Sequence, residues 1–402
     1  MRTIGYAVFL MFCAIFLCAQ TAFAQTPPGA VPLGSLFLYP AIEAGVKRDS
    51  NIALTPNAAS DTIYSLRPSL RLEPRQGENV YGFSYQGDYG RYNRQTTDNY
   101  ENHELNADAN VVLDMRNRLK VRAQYLDRVD PRGTLNLAAT PTPNRWRQPG
   151  IFGLYTYGAQ DAEGKLEVEG AYIDKRYINN RFVTFALDYD KVDYGGTFLW
   201  RVQPKTYLSF NLKQSVYDYK DSTVTLDSKD TFALVGVRWE ATAATSGRFA
   251  IGRQTKKFDS AGAAAGRRDY SGGSWEGGVT WKPLTYSSVD FRTQRRTADS
   301  TGLGDFTVNQ THGVLWTHAW SDQFTTIVTG TYANDKFAQA PVATIGGLSR
   351  EDTTKTAGLR ANYQMRRWLK IGADYIRTIR DSNDNSFDYS RNQMMLFVSA
   401  TP

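Results

Sequence analysis

Apolar and polar residues alternate one for one along most of this chain. In residues 207–216, for example, Leu208, Phe210 and Leu212 alternate with small polar or charged residues. The same alternation occurs in residues 65–73, 119–125 and 369–375. A period of two places unlike side chains on the two faces of a β-strand, so the sequence predicts strands with one apolar and one polar face.

The breaks between these segments are alternately short and long. The short breaks fall at residues 74–77, 116–117, 162–164, 203–205, 245–247, 283–284, 321–322 and 365–367. The long polar breaks fall at residues 48–60, 93–99, 130–148, 177–189, 221–226, 260–267, 298–307, 337–351 and 381–386. Together they divide the chain into about 18 strands of roughly 12 to 16 residues, an even number with the length of tilted membrane strands.

Strands of this kind can cross a membrane only in a closed sheet. Hydrocarbon offers no hydrogen-bond partner, so every backbone N–H and C=O must pair within the protein. Only alternate residues then face lipid, which fits the negative mean hydropathy of −0.46. We therefore predict an all-β fold, a transmembrane antiparallel up-and-down barrel; a soluble β-sandwich or propeller is the alternative.

Large aromatic residues cluster close to the short breaks. The motif around Trp200, which ends at Tyr207 after Pro204, is repeated from Trp281 to Tyr286. Aromatic girdles occupy the membrane–water interfaces of outer-membrane barrels. We predict an interfacial girdle made of Trp200, Trp239, Trp281, Tyr286, Trp316, Trp320 and Trp368.

The N-terminus has the features of an export signal. Arg2 precedes an apolar run from Ile4 to Cys18, and the small-x-small sequence that ends at Ala24 forms a cleavage site. We predict a signal peptide at residues 1–24, a periplasmic lead at 25–35 and the barrel at 36–400. Both cysteines, Cys13 and Cys18, lie in the predicted signal peptide, so the mature chain would carry no thiol.

The polar faces of the strands carry many charges and define a candidate lumen. The formal net charge is +7, which is compatible with anionic partners. The predicted lumen-lining residues are Arg67, Arg71, Lys120, Arg122, Arg201, Lys213, Asp290, Arg292, Arg296, Lys370 and Asp374. Two interpretations stay open: a wall that attracts an anionic glycan, or interstrand salt bridges that stiffen the barrel. Tyr85, Tyr89, Tyr92, Tyr217 and Tyr219 could likewise stack on sugars or form an outer girdle.

No pattern indicates catalysis or a cofactor. His312 and His318 are six residues apart, roughly 20 Å along a strand, which is too far for one zinc ion. Residues 381–385 resemble the start of a calcium loop but lack its sixth-position glycine and its acidic twelfth residue. We expect no metal, no cofactor, no catalytic site and no nucleic-acid partner.

The hairpins resemble one known family. The sequence Arg48-Asp49-Ser50-Asn51-Ile52, together with Asp61-Thr62-Ile63-Tyr64 and Leu66-Arg67-Pro68-Ser69-Leu70, is similar to the putative beta-barrel porin 2 family. The resemblance implies an outer-membrane barrel that accompanies exopolysaccharide or capsule export in Gram-negative bacteria. Its implied partners are the secreted polysaccharide, a periplasmic polysaccharide export protein, the barrel insertion machinery and outer-membrane lipids.

The predicted function is therefore to provide or complete the pore for polysaccharide export, with both termini in the periplasm. Two alternatives stay open. The barrel could be a passive diffusion porin for small, anion-leaning solutes, or a plugged structural or lipid-modifying barrel.

Overall fold

The structure is a computed structural model that describes residues 29–74, 79–240, 244–299, 301–302, 304–341 and 349–401. The predicted signal peptide and the first residues of the predicted lead lie outside the described residues. The described part of the lead contains one short strand, β1, at Val31–Leu33.

Eighteen longer strands follow β1, and they agree with the predicted number. Their bounds are β2 Leu36–Asp49, β3 Asp61–Pro74, β4 Val80–Tyr92, β5 Tyr100–Val112, β6 Asn117–Asp130, β7 Asn144–Tyr157, β8 Gly164–Tyr177, β9 Tyr189–Gln203, β10 Thr206–Tyr219, β11 Ser228–Trp239, β12 Thr245–Phe258, β13 Tyr270–Leu284, β14 Ser287–Asp299, β15 Phe306–Ala319, β16 Phe324–Pro341, β17 Ser349–Arg366, β18 Leu369–Ser382 and β19 Tyr389–Ala400. β16 and β17 have 18 residues each and exceed the predicted length, because their ladder continues past the ends of the neighbouring strands.

The sheet closes on itself. Each strand from β2 to β19 pairs antiparallel with its neighbours in sequence, and β19 pairs with β2 from Gln393 opposite Asp49 to Ala400 opposite Ile42. β1 adds only a three-residue pairing with the start of β2. The predicted closed antiparallel barrel is thereby confirmed.

The two ends of the barrel differ. The first residue of β2 and the last residue of β19 lie at the end where the short connections lie, and the long connections lie at the other end. The short turns start up to a few residues before or after the predicted positions. Pro283 belongs to the last residues of β13, beside a register shift, and the turn follows at 285–286. A proline can occupy a strand end because the ladder there needs no N–H donor.

Short helical segments occur only in long connections of the described chain. They are 3-10 turns at Thr96–Asp98, Phe185–Leu187 and Asn385–Phe387, helix α1 at Arg181–Thr184 and helix α2 at Ser260–Ala264. Asp259 caps α2 by accepting a hydrogen bond from the Gly262 N–H at 2.8 Å.

None of the helices in the described part of the chain is long and apolar enough to cross a membrane.

The strands have the two unlike faces that the alternation predicts. In β19, Met394 and Leu396 expose 62% and 70% of their surface, whereas Met395 and Phe397 expose 5% and 3%. The exposed set lies on the outside of the cylinder, and the buried set points to the interior. Apolar residues exposed to this extent fit contact with lipid rather than with water.

The interior packing of β18 depends on one glycine. Gly372 lies opposite Phe397 in the ladder, and a Cβ at position 372 would overlap the Phe397 ring. An aromatic ring that covers a cross-strand glycine supplies the contact that the missing side chain does not. Position 372 is therefore closed to larger residues on the interior side.

We predict that Gly372→Val destabilises the folded barrel by about 1–3 kcal/mol, because the ring has to leave its position. The measurement is the temperature at which the folded band is lost in a heat-modifiability gel. Ala373→Val is the matched control, since Ala373 is exposed on the outer face. Equal melting of the two variants would contradict the proposed packing.

Candidate functional site: the barrel interior

All eleven predicted lumen residues lie on the interior face. Arg67 pairs with carboxylates on both neighbouring strands, Asp290 accepts a hydrogen bond from Thr280 on the interior face of β13, and Lys370 lies opposite Gln364 and Ser399. The remaining residues occupy interior register positions on β3, β6, β9, β10, β14 and β18. Their placement is a structural result, and their function stays a prediction.

One group of these charges forms a network around Glu43 on β2. Arg67 donates to Glu43 at 3.0 Å and to Asp88 at 3.1 Å. Arg360, on β17, reaches the other Glu43 oxygen at 2.7 Å and lies 3.6 Å from Asp374. Two strands separate β17 from β2, so side chains can meet over this span only inside the cylinder. Sequence reasoning missed Glu43 and Arg360, because nothing local in the sequence marks a partner three strands away.

A second group lies on the opposite side of the wall. Arg238 on β11 donates to both carboxylate oxygens of Glu167 on β8, at 2.7 and 3.0 Å. Lys213 lies 2.9 Å from Glu169, and Arg122 lies 2.6 Å from Asp108. For these residues the salt-bridge interpretation holds. Fork-shaped arginine–carboxylate contacts also fix the side chains in place.

The remaining interior cations differ, because they have no acidic partner among the described residues. Several of them lie near the short-turn ends of their strands, and we call five of these the basic ring: Lys120, Arg201, Arg248, Arg292 and Lys370. They belong to β6, β9, β12, β14 and β18, so they are spread around the circumference. Arg296 on β14 is a further interior cation without a described ion pair and lies nearer the long-loop end.

The long-loop end of the barrel is crossed by residues 131–143, the connection between β6 and β7, which we call the strap. Its near end is fixed by Arg132, which makes a bidentate contact of 2.8–2.9 Å with Asp98, a carboxylate that is only 4% exposed. Gly133, with φ of +72°, packs against the backbone of Ala53 and the side chain of Leu54. Only glycine readily adopts this φ.

The far end of the strap is held on the other side of the mouth. The Asn136 backbone N–H donates to the Thr301 carbonyl at 2.8 Å, and its side-chain amide donates to the Thr301 hydroxyl at 2.6 Å. Arg350 on β17 donates to the side-chain oxygen of Asn136, Oδ1, at 2.6 Å. Seven strands, β8 to β14, lie between β7 and the connection that carries Thr301. The strap therefore spans most of the mouth.

The tyrosines near the long loops divide between the two faces. Tyr85 and Tyr89 lie on the outer face around His103, with Tyr85 Oη 3.0 Å from His103 Nδ1. Tyr217 and Tyr219 are 8% exposed and pack with Leu226 inside the barrel, so the outer-girdle interpretation is wrong for these two. Their burial also leaves no free ring face for stacking on a sugar.

Below these tyrosines the interior wall forms a cavity of about 360 Å³. Charged residues of both signs line it, among them Lys191, Lys213, Glu276, Arg296 and Asp299. This volume is at the lower end of the range for small-molecule sites.

The predicted girdle residues all lie at the short-turn end. Trp200, Trp281, Tyr286, Trp320 and Trp368 expose between 49% and 59% of their surface. Trp239 ends β11, and Trp316 donates to the Ser287 hydroxyl at 3.0 Å. His318 packs between Trp316 and Trp320, with ring centroids 5.4 and 4.4 Å away. The placement fits a membrane interface, and the girdle itself stays a prediction.

We predict that Asn136→Ala raises the single-channel conductance, because the variant loses the side-chain bonds to Thr301 and Arg350 that hold the far end of the strap. Planar-bilayer recording measures it, and open-channel current noise should rise as the strap fluctuates. Thr134→Ala is the control, since Thr134 bonds only within the strap. A conductance unchanged from the parent protein would show that the strap does not restrict the passage.

The sequence matches the model of the family described as putative beta-barrel porin 2 over residues 27–401. No curated protein matches it. Among solved structures, it is similar to OccK2 (OpdF) of Pseudomonas aeruginosa in complex with glucuronate, with 8% identity, a TM-score of 0.49 and coverage of 94% of this chain and 100% of that chain. It is also similar to OpdO of the same organism, with 15% identity, a TM-score of 0.49 and coverage of 91% and 97%. It is similar to OccAB3 of Acinetobacter baumannii as well, with 10% identity, a TM-score of 0.48 and coverage of 92% of this chain and 99% of that chain.

These comparisons correct the predicted function. The prediction of polysaccharide export is wrong, because the matching family is a porin family. The secreted polysaccharide and the periplasmic export protein are withdrawn as partners along with that function.

The 18-strand closure, the lipid-compatible outer face and the family match over nearly the whole sequence lead to one conclusion: this chain belongs to the putative beta-barrel porin 2 family and is a β-barrel of the Gram-negative outer membrane.

Proposed function

We propose that this barrel is a passive diffusion porin for small solutes and that it favours anions. The observation that carries the proposal is the basic ring: five interior cations, on five strands around the wall, without an acidic partner among the described residues. Interior carboxylates without a described ion pair, such as Glu276 and Asp290, are fewer than these cations. An excess of positive charge within low-dielectric walls concentrates anions.

The paired charges support the same function in a different way. Arg67, Arg238 and Lys213 are held by carboxylates, so they contribute little net field at a distance. These ion pairs hold strands of the wall together, and their polar atoms keep the interior wall hydrated. The selectivity then depends on the balance of the interior charges that have no described ion pair, so substitution of the basic ring should change it.

The strap sets the size of the solute. It is anchored on both sides of the mouth, so solutes have to pass beside it. One recess of the interior wall, with a volume of about 360 Å³, could hold a molecule of monosaccharide size. The proposal is therefore a porin for small molecules and ions, without catalysis.

The orientation follows from the general asymmetry of bacterial barrels, in which short turns face the periplasm and long loops face the exterior. We propose that both termini of this chain are periplasmic, since the first residue of β2 and the last residue of β19 lie at the short-turn end, and that the strap faces the exterior. Residues 1–24 would direct export, and the barrel insertion machinery would place the remaining chain in the membrane.

We predict that the triple variant Lys120→Ala/Arg201→Ala/Arg292→Ala loses anion preference. The chloride-to-potassium permeability ratio, obtained from the reversal potential in a KCl gradient, should fall severalfold because the local field of the ring is weakened. The effect should be largest at low salt, where screening is least.

Lys355→Ala/Arg377→Ala serves as the control. Both residues are exposed on the outer face of β17 and β18, so the change in net charge leaves the passage untouched. An equal shift in the control would contradict a role for the ring. A parent protein that conducts no ions would favour the plugged-barrel alternative instead.

A further inference from the structure

The outer face of β11 and β12 carries a like-charge pair. Lys229 and Lys257 lie directly opposite each other in the ladder, and both are exposed. Like charges directly opposite on one face destabilise a sheet. On the interior side of the same two strands, the next pair is complementary: Lys256 lies 3.1 Å from Asp230. At adjacent positions of the β11–β12 ladder, the interior pair therefore has opposite charges and the outer pair has like charges.

Two arginines extend this arrangement across β13 and β14. Arg253 lies opposite Gly273 and donates to the Ser271 hydroxyl at 2.8 Å. Arg295 bonds to the Gly273 carbonyl and lies 5.7 Å from the Trp275 ring centre. Glycine at 273 leaves space for the Arg295 guanidinium, which a Cβ there would contact at 3.6 Å. We call Lys229, Arg253, Lys257 and Arg295 the outer basic patch.

No described carboxylate forms an ion pair with this patch. The acids next to it in sequence are occupied by backbone groups: Asp227 accepts from the Tyr219 N–H at 2.7 Å, and Asp259 caps α2. Other outer cations at the same end of the barrel do have acidic partners. The pairs are Arg91–Glu101, Arg145–Asp127, Arg176–Asp190, Lys336–Glu351 and Lys355–Asp381. The patch thus differs from most of its surroundings.

The height of the patch fits a lipid headgroup. Lys229 and Trp239 share the outer face of β11 and are ten residues apart, with exposed Val235 between them. At about 3.4 Å per residue and a tilt of about 40°, this corresponds to about 26 Å, close to the height of the apolar band of such barrels. With Trp239 at one interface, the two lysines lie at the other.

From the charge, the missing partners and the height, we infer that the outer basic patch binds the phosphate groups of an outer-leaflet lipid. A phosphate placed between Lys229 and Lys257 would turn their repulsion into two charge-assisted contacts, with Arg253 and Arg295 available to a second phosphate or to the same one. The inference uses the proposed orientation, with the long loops facing the exterior, and is independent of the solute that passes through the pore.

The test uses the full mature barrel in neutral detergent, with lipid A, a bisphosphorylated glycolipid, as the probe. Binding is measured by native mass spectrometry, and thermal unfolding is measured with and without the probe. Lipid A should bind and raise the unfolding temperature of the parent protein, because a ligand that binds only the folded state stabilises it. In Lys229→Ala/Lys257→Ala the affinity should fall on the order of tenfold or more.

The double variant should fold, because it removes a repulsion; without lipid its unfolding temperature should equal or exceed that of the parent. Lys336→Ala/Lys355→Ala removes two acid-paired outer cations and should keep the parent affinity. Three results would overturn the inference: equal losses in both variants, equal binding of dephosphorylated lipid A, or saturation of the patch by inorganic phosphate at matched concentration, which would assign it to free phosphate.

Discussion

Every backbone polar group of a spanning strand has to find its partner inside the protein, and the rest of this structure depends on that requirement. The requirement is hardest to meet where the two ends of the chain meet. β19 and β2 share a ladder of eight residue pairs, shorter than the other ladders beside them. Contacts beyond this ladder extend the seam. Arg391 donates to the fully buried Asp49 at 2.5–3.1 Å, and the Ser50 N–H donates to the Asn392 carbonyl at 2.9 Å.

Closure also creates the functional site. Once the sheet is a cylinder, the polar faces of all strands point to one enclosed space, and charges on distant strands come within contact distance. Glu43 meets arginines from β3 and β17 for this reason, and Glu167 meets Arg238. Five of the cations that find no acid among the described residues form the basic ring, and the proposed selectivity depends on the excess of such cations over interior carboxylates, such as Asp290, that have no described ion pair either.

The sequence predicts the fold well because the period-two alternation is local and closure follows from it by physical necessity. The same alternation assigns the eleven candidate lumen residues to one face, and the register of the ladders puts that face on the interior. It cannot predict which charges meet: Arg360 and Glu43 are 317 residues apart. The path of the strap cannot be predicted from the sequence either. Residues 130–148 indicate only a long polar loop, and its path depends on contacts with Thr301 and Arg350. The export function rested on family resemblance rather than on any residue pattern, and it was wrong.

The central claim is that lipid contacts one face of each strand while water and small solutes contact the other, and cysteine scanning along one strand tests it most directly. Cys13 and Cys18 are the only cysteines of the chain and lie in the predicted signal peptide, so each introduced thiol would be unique. Phe210, Asn211, Leu212 and Lys213 of β10 are replaced one at a time by cysteine and exposed to a small charged thiol reagent in intact outer membranes. The account predicts rapid modification at 211 and 213 and slow modification at 210 and 212. Equal rates at all four positions, or reaction only at 210 and 212, would contradict it.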